Sequence, residues 1–239
     1  MKFMSKTLFS TLGVISLLTL AAVAQTGAVK PVPEKAGKDG WIKLFDGKTL
    51  SGWVAPDPSD WRIENGILMG SGPRSHLFSP NVYTNCEFKA EVKLSHSGNS
   101  GMYFHAQLGK GWPAGYEAQV ENTSSDPQKT GSLYNNPDRH FDPAPVAVTD
   151  QLIQDDTWWT QHIIIIGNRI IIKVNDKIVT DYVDNSASRL VSGHFAFQQH
   201  DPGSKVQYRN VVAKRLPADE KAAWKEARKD MPDIAAPKK

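Results

Sequence analysis

Residues 86–94 read CEFKAEVKL, with Cys86, Phe88, Ala90, Val92 and Leu94 alternating with Glu87, Lys89, Glu91 and Lys93. A period of two puts the apolar set on one face of a β-strand and the charged set on the other, so this strand is half buried. GMYFHAQ (101–107) and GYEAQV (115–120) follow as two further strands, separated by the loop 108–114. In WTQHIIIIGNRIIIKVNDKIVTDYV (159–183) the turn signals Gly167-Asn168 and Asn175-Asp176 divide β-branched runs, which predicts a meander of three antiparallel strands. GHFAFQQH (193–200) and VQYRNVVAKRL (206–216) add two more. Near the C-terminus, PADEKAAWKEARKD opens with a proline and continues in good helix formers, so a short helix is expected there. Trp224 is its only large apolar residue, which predicts loose docking, and the last residues, MPDIAAPKK, read as a frayed end. Strands joined by short turns, without a βαβ rhythm, imply one all-β antiparallel sandwich with a terminal helix.

The first residues follow a different pattern. Lys2 and Lys6 precede an apolar run from Leu8 to Val23, and Ala22-Val23-Ala24 supplies small residues for cleavage. That is the pattern of a secretory signal peptide over residues 1–24, with a retained N-terminal anchor as the alternative. A periplasmic or secreted protein is therefore expected. Residues 25–39, rich in Pro, Gly and Lys, read as a linker; 40–217 form the sandwich domain and 218–239 the helix and tail. About 215 residues remain after cleavage, enough for one large β domain. The chain carries 28 Lys+Arg against 25 Asp+Glu, and cleavage removes two of the lysines. So even a balance gives no electrostatic footprint for nucleic acid or for a membrane surface once the leader is gone. Cys86 is the single cysteine, so no internal disulfide forms, and its place in the apolar phase of its strand makes it a buried thiol.

Three strands carry polar groups on alternate residues. Glu117, Gln119 and Glu121 form one row, Gln198 and His200 a second, Gln207 and Arg209 a third. Any one of these rows suits a solvated face. Together they favour a binding groove, because Gln, Glu, His and Arg are the planar groups that hold sugar hydroxyls through paired hydrogen bonds. Trp112, Tyr116, Tyr103 beside His105, and Tyr134 add aromatic rings on which sugar C–H faces stack. Trp41, Trp53, Trp61, Trp158 and Trp159 read as core. No His-x-His, no His-Glu-x-x-His and no cysteine pair is present, so no metal site is assigned, although Asp and Asn residues within 135–142 have the chemistry to hold calcium. A nucleophile elbow of the Gly-x-Ser-x-Gly type is also missing. The long loop 122–156, rich in Asn, Asp, Pro and Gly, is expected to fold over a site.

The motifs, taken in order, resemble a known family. They are GWIKLFDGKTLSGW (40–53), WRIENGILMGSG (61–72), NSGMYFHA (99–106), GYEAQV (115–120), TGSLYN (130–135), FAFQQHD (195–201) and VQYRNVVAKRL (206–216). They are similar to the 3-keto-disaccharide hydrolase family, also described as the 3-keto-glucoside-1,2-lyase/3-keto-2-hydroxy-glucal hydratase domain. The likeness covers roughly residues 40–217, and LFDGKTLSGW is its most specific element. It implies a concanavalin A-like jelly-roll whose curved sheet offers a groove to a carbohydrate. Two positions depart from the pattern: His105 stands where many members have Arg, and Glu121-Asn122 where many carry Asp.

A ketone at C3 of a sugar acidifies the C2 proton, so the glycosidic bond breaks by β-elimination after a base forms the enolate. Water then adds across the double bond. Such chemistry needs one base, donors for the enolate oxygen and an acid for the leaving group, not the opposed carboxylates of ordinary glycosidases. Glu117 and His200 are the candidates for base and acid, in either order, since histidine is the side chain that ordinarily titrates near neutral pH. Arg209, Gln119 and Gln198 are the candidate donors, and Asn99, His105, Tyr134 and Trp112 the remaining candidate substrate contacts. No cofactor is assigned, and a divalent cation polarising the ketone would do the donors' work. The expected partner is a small glycoside or oligosaccharide. Two alternatives stand beside this reading: a laminarinase-type glycosidase, which the spacing Glu117-x-Gln119-x-Glu121 approaches with an amide in the middle, and a non-catalytic carbohydrate-binding module.

Overall fold

The structure, a computed structural model, describes residues 29–134, 141, 143–232 and 234. The leader and the possible calcium-holding residues of 135–142, Phe141 apart, lie outside the described residues. No helix among the described residues is long and apolar enough to cross a membrane.

The alternating segments assemble into two antiparallel sheets packed face to face. In chain order the strands are β1 (Ile42–Lys43), β2 (Arg62–Glu64), β3 (Ile67–Gly70), β4 (Ser75–Tyr83), β5 (Cys86–Leu94), β6 (Asn99–Ala106) and β7 (Tyr116–Glu121). After the long loop come β8 (Trp159–Ile166), β9 (Arg169–Val174), β10 (Lys177–Val183), β11 (Gly193–Gln199) and β12 (Val206–Arg215), then helix α1 (Glu220–Asp230). One sheet has the order β10-β9-β8-β5-β12-β3-β2, with β1 also paired to β12; the other is β4-β11-β6-β7. The predicted meander is β8-β9-β10, and its second turn holds Asn175 and Asp176 at φ 47° and 64°, a conformation those residue types tolerate. The architecture is the expected lectin-like β-sandwich with a short C-terminal helix.

The core lies between the sheets. Phe88 of β5 stacks on Phe195 of β11 with ring centroids 4.1 Å apart, and Tyr208 of β12 stacks on Phe197 at 3.9 Å. Burying each such ring contributes about 2 to 3 kcal/mol. Cys86 is buried and free, as its phase predicts. β4 is the long strand that alternation does not reveal. It carries Pro80, which a strand tolerates at a sheet edge, and β4 is an edge of the four-stranded sheet.

Three expectations change. Trp53, Trp61 and Trp159 are core, but Trp41 and Trp158 are only half buried. Trp41 meets the outward-facing His162 edge-on at 5.7 Å, and Arg209 lies 4.1 Å above Trp158. Helix α1 docks firmly instead of loosely: Ala223, Trp224 and Ala227 pack on Ile164, Ile166 and Ile171, joined by Leu216, Met231 and Ile234. That explains the unbroken Ile163–Ile166 run, since β8 is buried on both faces. Asp219 caps the helix, its carboxylate accepting from the Ala222 N–H at 2.8 Å. Residues 29–39, read as a linker, are tied down. Asn81 accepts from the Val32 N–H at 2.9 Å, and Glu34 pairs with Arg215 at 2.6 Å.

Candidate functional site

The site lies on the outer face of the four-stranded sheet, and strand register decides which side chains reach it. Pairing of β6 with β7 sets Tyr103 opposite Glu117, Gly101 opposite Gln119 and Asn99 opposite Glu121. Pairing of β11 with β4 sets Gln198 opposite His76. Met102 and Ala118 occupy the other phase and belong to the core, so this polar set faces outward.

Gly101 lets these groups meet. A Cβ there would stand 2.0 Å from Glu117 Oε1, so only glycine lets the carboxyl lie across β6. Having crossed, it accepts from Gln198 Nε2 at 3.0 Å and hydrogen-bonds the Tyr103 hydroxyl, which itself accepts from Gln198 Nε2 at 3.2 Å. Glu117 is only 7% exposed, and among the described residues no cation pairs with it. Burial pushes its carboxyl up to about 8; the Asp126 charge adds to the rise, and the bonds from Tyr103 and Gln198 offset only part of it. A carboxyl kept largely protonated at neutral pH is equipped to donate a proton.

The turn back of residues 130–134 builds one wall. It runs along the free edge of β7: Gly131 N–H donates to Gln119 O at 3.0 Å and Tyr134 N–H to Glu117 O at 2.9 Å. Lys129 reaches beneath it to Glu121 at 2.8 Å. Glu121 is fully buried in that pair, so the third member of the row Glu117, Gln119, Glu121 fastens the loop. The other wall carries Trp112, 47% exposed, with the Arg74 guanidinium 4.8 Å from its ring, His200 at 5.4 Å and His76 at 5.8 Å. His200 Nδ1 lies 2.9 Å from Asp201 Oδ2. Burial would raise the Asp201 carboxyl, but hydrogen bonds from His200, Ser204 and the Gly203 N–H outweigh it and hold the carboxyl below its ordinary range. A groove of about 590 Å³ runs along this edge, lined by Asn99, Asp126, Gln128, Tyr134, His200 and Asp201.

Seven of the residues singled out from the sequence therefore come together: Glu117, Gln119, Gln198, Asn99, Trp112, Tyr134 and His200. Two do not. Arg209 sits on β12 in the other sheet, paired to Glu91 at 2.6 Å, because β12 joins β5 and β3 and not β11. His105 has φ +47°, which turns its ring out of the β6 phase and against the carbonyls of Leu190 at 2.8 Å and Thr84 at 2.9 Å. Its place is structural. Sequence reasoning missed His76, Gly101, Asp126 and Asp201. Only Asp201, next to His200, carried a local signal; His76 and Gly101 depend on register, and Asp126 on the path of the loop after β7.

Comparisons with known proteins bear on the family and the fold. The model of the 3-keto-alpha-glucoside-1,2-lyase-like domain family matches residues 40–214. A 3-keto-disaccharide hydrolase of Bacteroides thetaiotaomicron is 39% identical over 82 residues, which span 29% of this chain and 28% of that protein. Among solved structures, a Parabacteroides distasonis protein provisionally described as a glycosyl hydrolase superposes with a TM-score of 0.60 at 23% identity, over 75% of this chain and 95% of its own. A carbohydrate-binding module from Bacillus subtilis superposes with a TM-score of 0.51 at 15% identity, over 76% and 99%. At such identities the structural likeness speaks for the fold alone.

Proposed function

The chain belongs to the 3-keto-alpha-glucoside-1,2-lyase-like family, and on that premise we propose that it is an exported enzyme that cleaves 3-keto-glycosides by elimination and hydration. The observation that carries this reading is the Glu117 carboxyl, buried between two neutral donors with no cation paired to it among the described residues. His200, oriented by Asp201, removes the proton from C2, and the electron pair moves into the C2–C3 bond and onto the C3 oxygen. When the C3 carbonyl re-forms, the pair becomes the C1–C2 double bond and the C1–O bond breaks. Glu117 gives its proton to the departing oxygen. Water then adds at C1 and a proton returns to C2, so the sum is hydrolysis. Gln119, Asn99 and Tyr134 hold ring hydroxyls, and Trp112 stacks on the sugar.

The Lys129 pairing of Glu121 speaks against a retaining glycosidase built on the row Glu117-x-Gln119-x-Glu121, since the second carboxyl of that row is tied to a lysine instead of facing a sugar. A chromogenic 3-keto-glucoside, its non-oxidised parent and a C2-deuterated keto substrate form the test. Fast release from the keto form alone, slowed by deuterium, is the expected result. Equal release from keto and parent forms would sink the elimination mechanism, and binding without release would leave a carbohydrate-binding module.

A further inference from the structure

His76 is buried on the same face and has no task in the steps above. It is 1% exposed, and neither ring nitrogen makes a well-formed hydrogen bond among the described residues; the Gly111 carbonyl is a weak neighbour of one of them. Leaving a buried polar atom unpaired costs about 1 to 3 kcal/mol. A packing role does not require that cost, because a phenyl ring would fill the same space. Phe78, two residues along β4 on the same face, is an apolar ring buried among its neighbours. The imidazole stands edge-on to Tyr103 at 4.9 Å and to Trp112 at 5.8 Å, and its cross-strand neighbour is Gln198. Gln198 Oε1 is also unpaired, while its Nε2 serves Glu117. Glu117, Gln198 and His76 therefore form one line across the sheet, a proton donor at one end and unmatched hydrogen-bonding atoms at the other.

We propose that His76 is a substrate-contacting residue whose ring N–H donates to the C3 oxygen of the keto sugar, with Gln198 Oε1 accepting from an adjacent hydroxyl. The inference rests on the elimination reading. As the C2 proton leaves, negative charge collects on the C3 oxygen, and the His76 N–H stabilises it without giving up its proton. The charge returns to the leaving group when C1–O breaks, so the imidazole ends as it began. Such a donor serves best when neutral, since it then neither protonates the enolate nor captures the base's charge. Burial pushes His76 down to about 3, and the Arg74 charge deepens the shift; the Gly111 carbonyl pulls the other way and His200 adds to the lowering. Trp112, which covers the imidazole edge-on, is itself 47% exposed and so stands between His76 and the open groove.

The test is the full chain with His76→Phe and His76→Gln. Phe keeps a ring in the same space and removes both nitrogens; Gln restores an N–H donor. The expected result is a fall in kcat on the keto substrate of about a hundredfold for Phe, with partial recovery in Gln. Affinity for the non-oxidised parent, which has no ketone to polarise, should change less than about threefold in both. Wild-type activity in His76→Phe would overturn the inference and leave the proposed function standing. So would an equal loss of affinity for keto and parent sugars, which would mark a packing role. A wild-type protein that leaves the keto substrate intact would overturn both.

Discussion

Each outer face of the sandwich buries a histidine near a tryptophan, yet the surroundings of the two histidines handle charge in opposite ways. On the eight-stranded sheet His162 lies beside Trp41, and its Nε2 meets Glu87 at 2.8 Å. Around it Lys214 pairs with Asp230 at 2.7 Å, Arg169 with Asp181 at 2.6 Å and Arg209 with Glu91 at 2.6 Å. Helix α1 closes over part of this face. On the four-stranded sheet His76 lies beside Trp112 with no carboxylate partner among the described residues, and Glu117 meets only neutral donors among them. Burial lowers both histidines, but only His162 has a carboxylate pulling back. Matched charges hold elements together. Unmatched buried groups raise the free energy of the empty fold and are retained where a ligand completes them.

The contrast breaks most sharply at the two residues that the sequence put in one set. Glu117→Gln keeps the hydrogen-bonding shape and loses the proton donor, so kcat on the keto substrate should fall a hundredfold to ten-thousandfold, about 3 to 5 kcal/mol of barrier. Arg209→Ala, on the paired face, should leave kcat within about twofold. Comparable losses in both would erase the distinction between the faces.

Stability should respond the other way round. Trp224→Ala opens the patch where α1 meets Ile164 and Ile171, and should cost about 3 kcal/mol in denaturant unfolding. Turnover of the folded fraction should not change. A loss below about 1 kcal/mol would mean that α1 docks loosely after all.

Taken one pH unit at a time, the smallest effect sharpens the comparison through pH. The folded protein holds the Glu117 proton up to about 8, whereas the unfolded chain releases it near the ordinary 4.5. Between these values the native state binds the extra proton, so this residue's contribution to stability is full at low pH and declines as pH rises, by at most about 1.4 kcal/mol per pH unit. In Glu117→Gln that decline should vanish, leaving the variant at least as stable as wild type at pH 8. A variant less stable than wild type at that pH would mean the carboxylate is stabilised in the fold by charge that the structure does not supply.

Much of the fold is legible locally because a half-buried strand writes its two faces into every second residue. Cys86 to Leu94, the Ile-rich meander and Glu117-x-Gln119 carry that pattern without reference to anything distant. Alternation tells which residues share a side of one strand. It is silent on which strand lies alongside, and it cannot mark β4, whose sequence SHLFSPNVY has no clean period. Gln198-x-His200 and Gln207-x-Arg209 look equivalent as text, but β11 pairs with β6 and β12 with β5, so one row reaches Glu117 and the other does not.

The amino-acid sequence by itself determined the class of fold, the terminal helix, the free buried thiol and the presence of a polar row on β7. Tertiary structure decided the rest. Register brought His76 and Gln198 to Glu117, the missing Cβ of Gly101 let the carboxyl cross a strand, and a positive φ turned His105 away. Side-chain phase is a property of each strand, whereas pairing, close approach and burial are settled only when distant segments compete for the same space. The Glu117 shift is therefore a tertiary fact: its cause is the desolvation that the neighbouring strands and the turn back of residues 130–134 impose together.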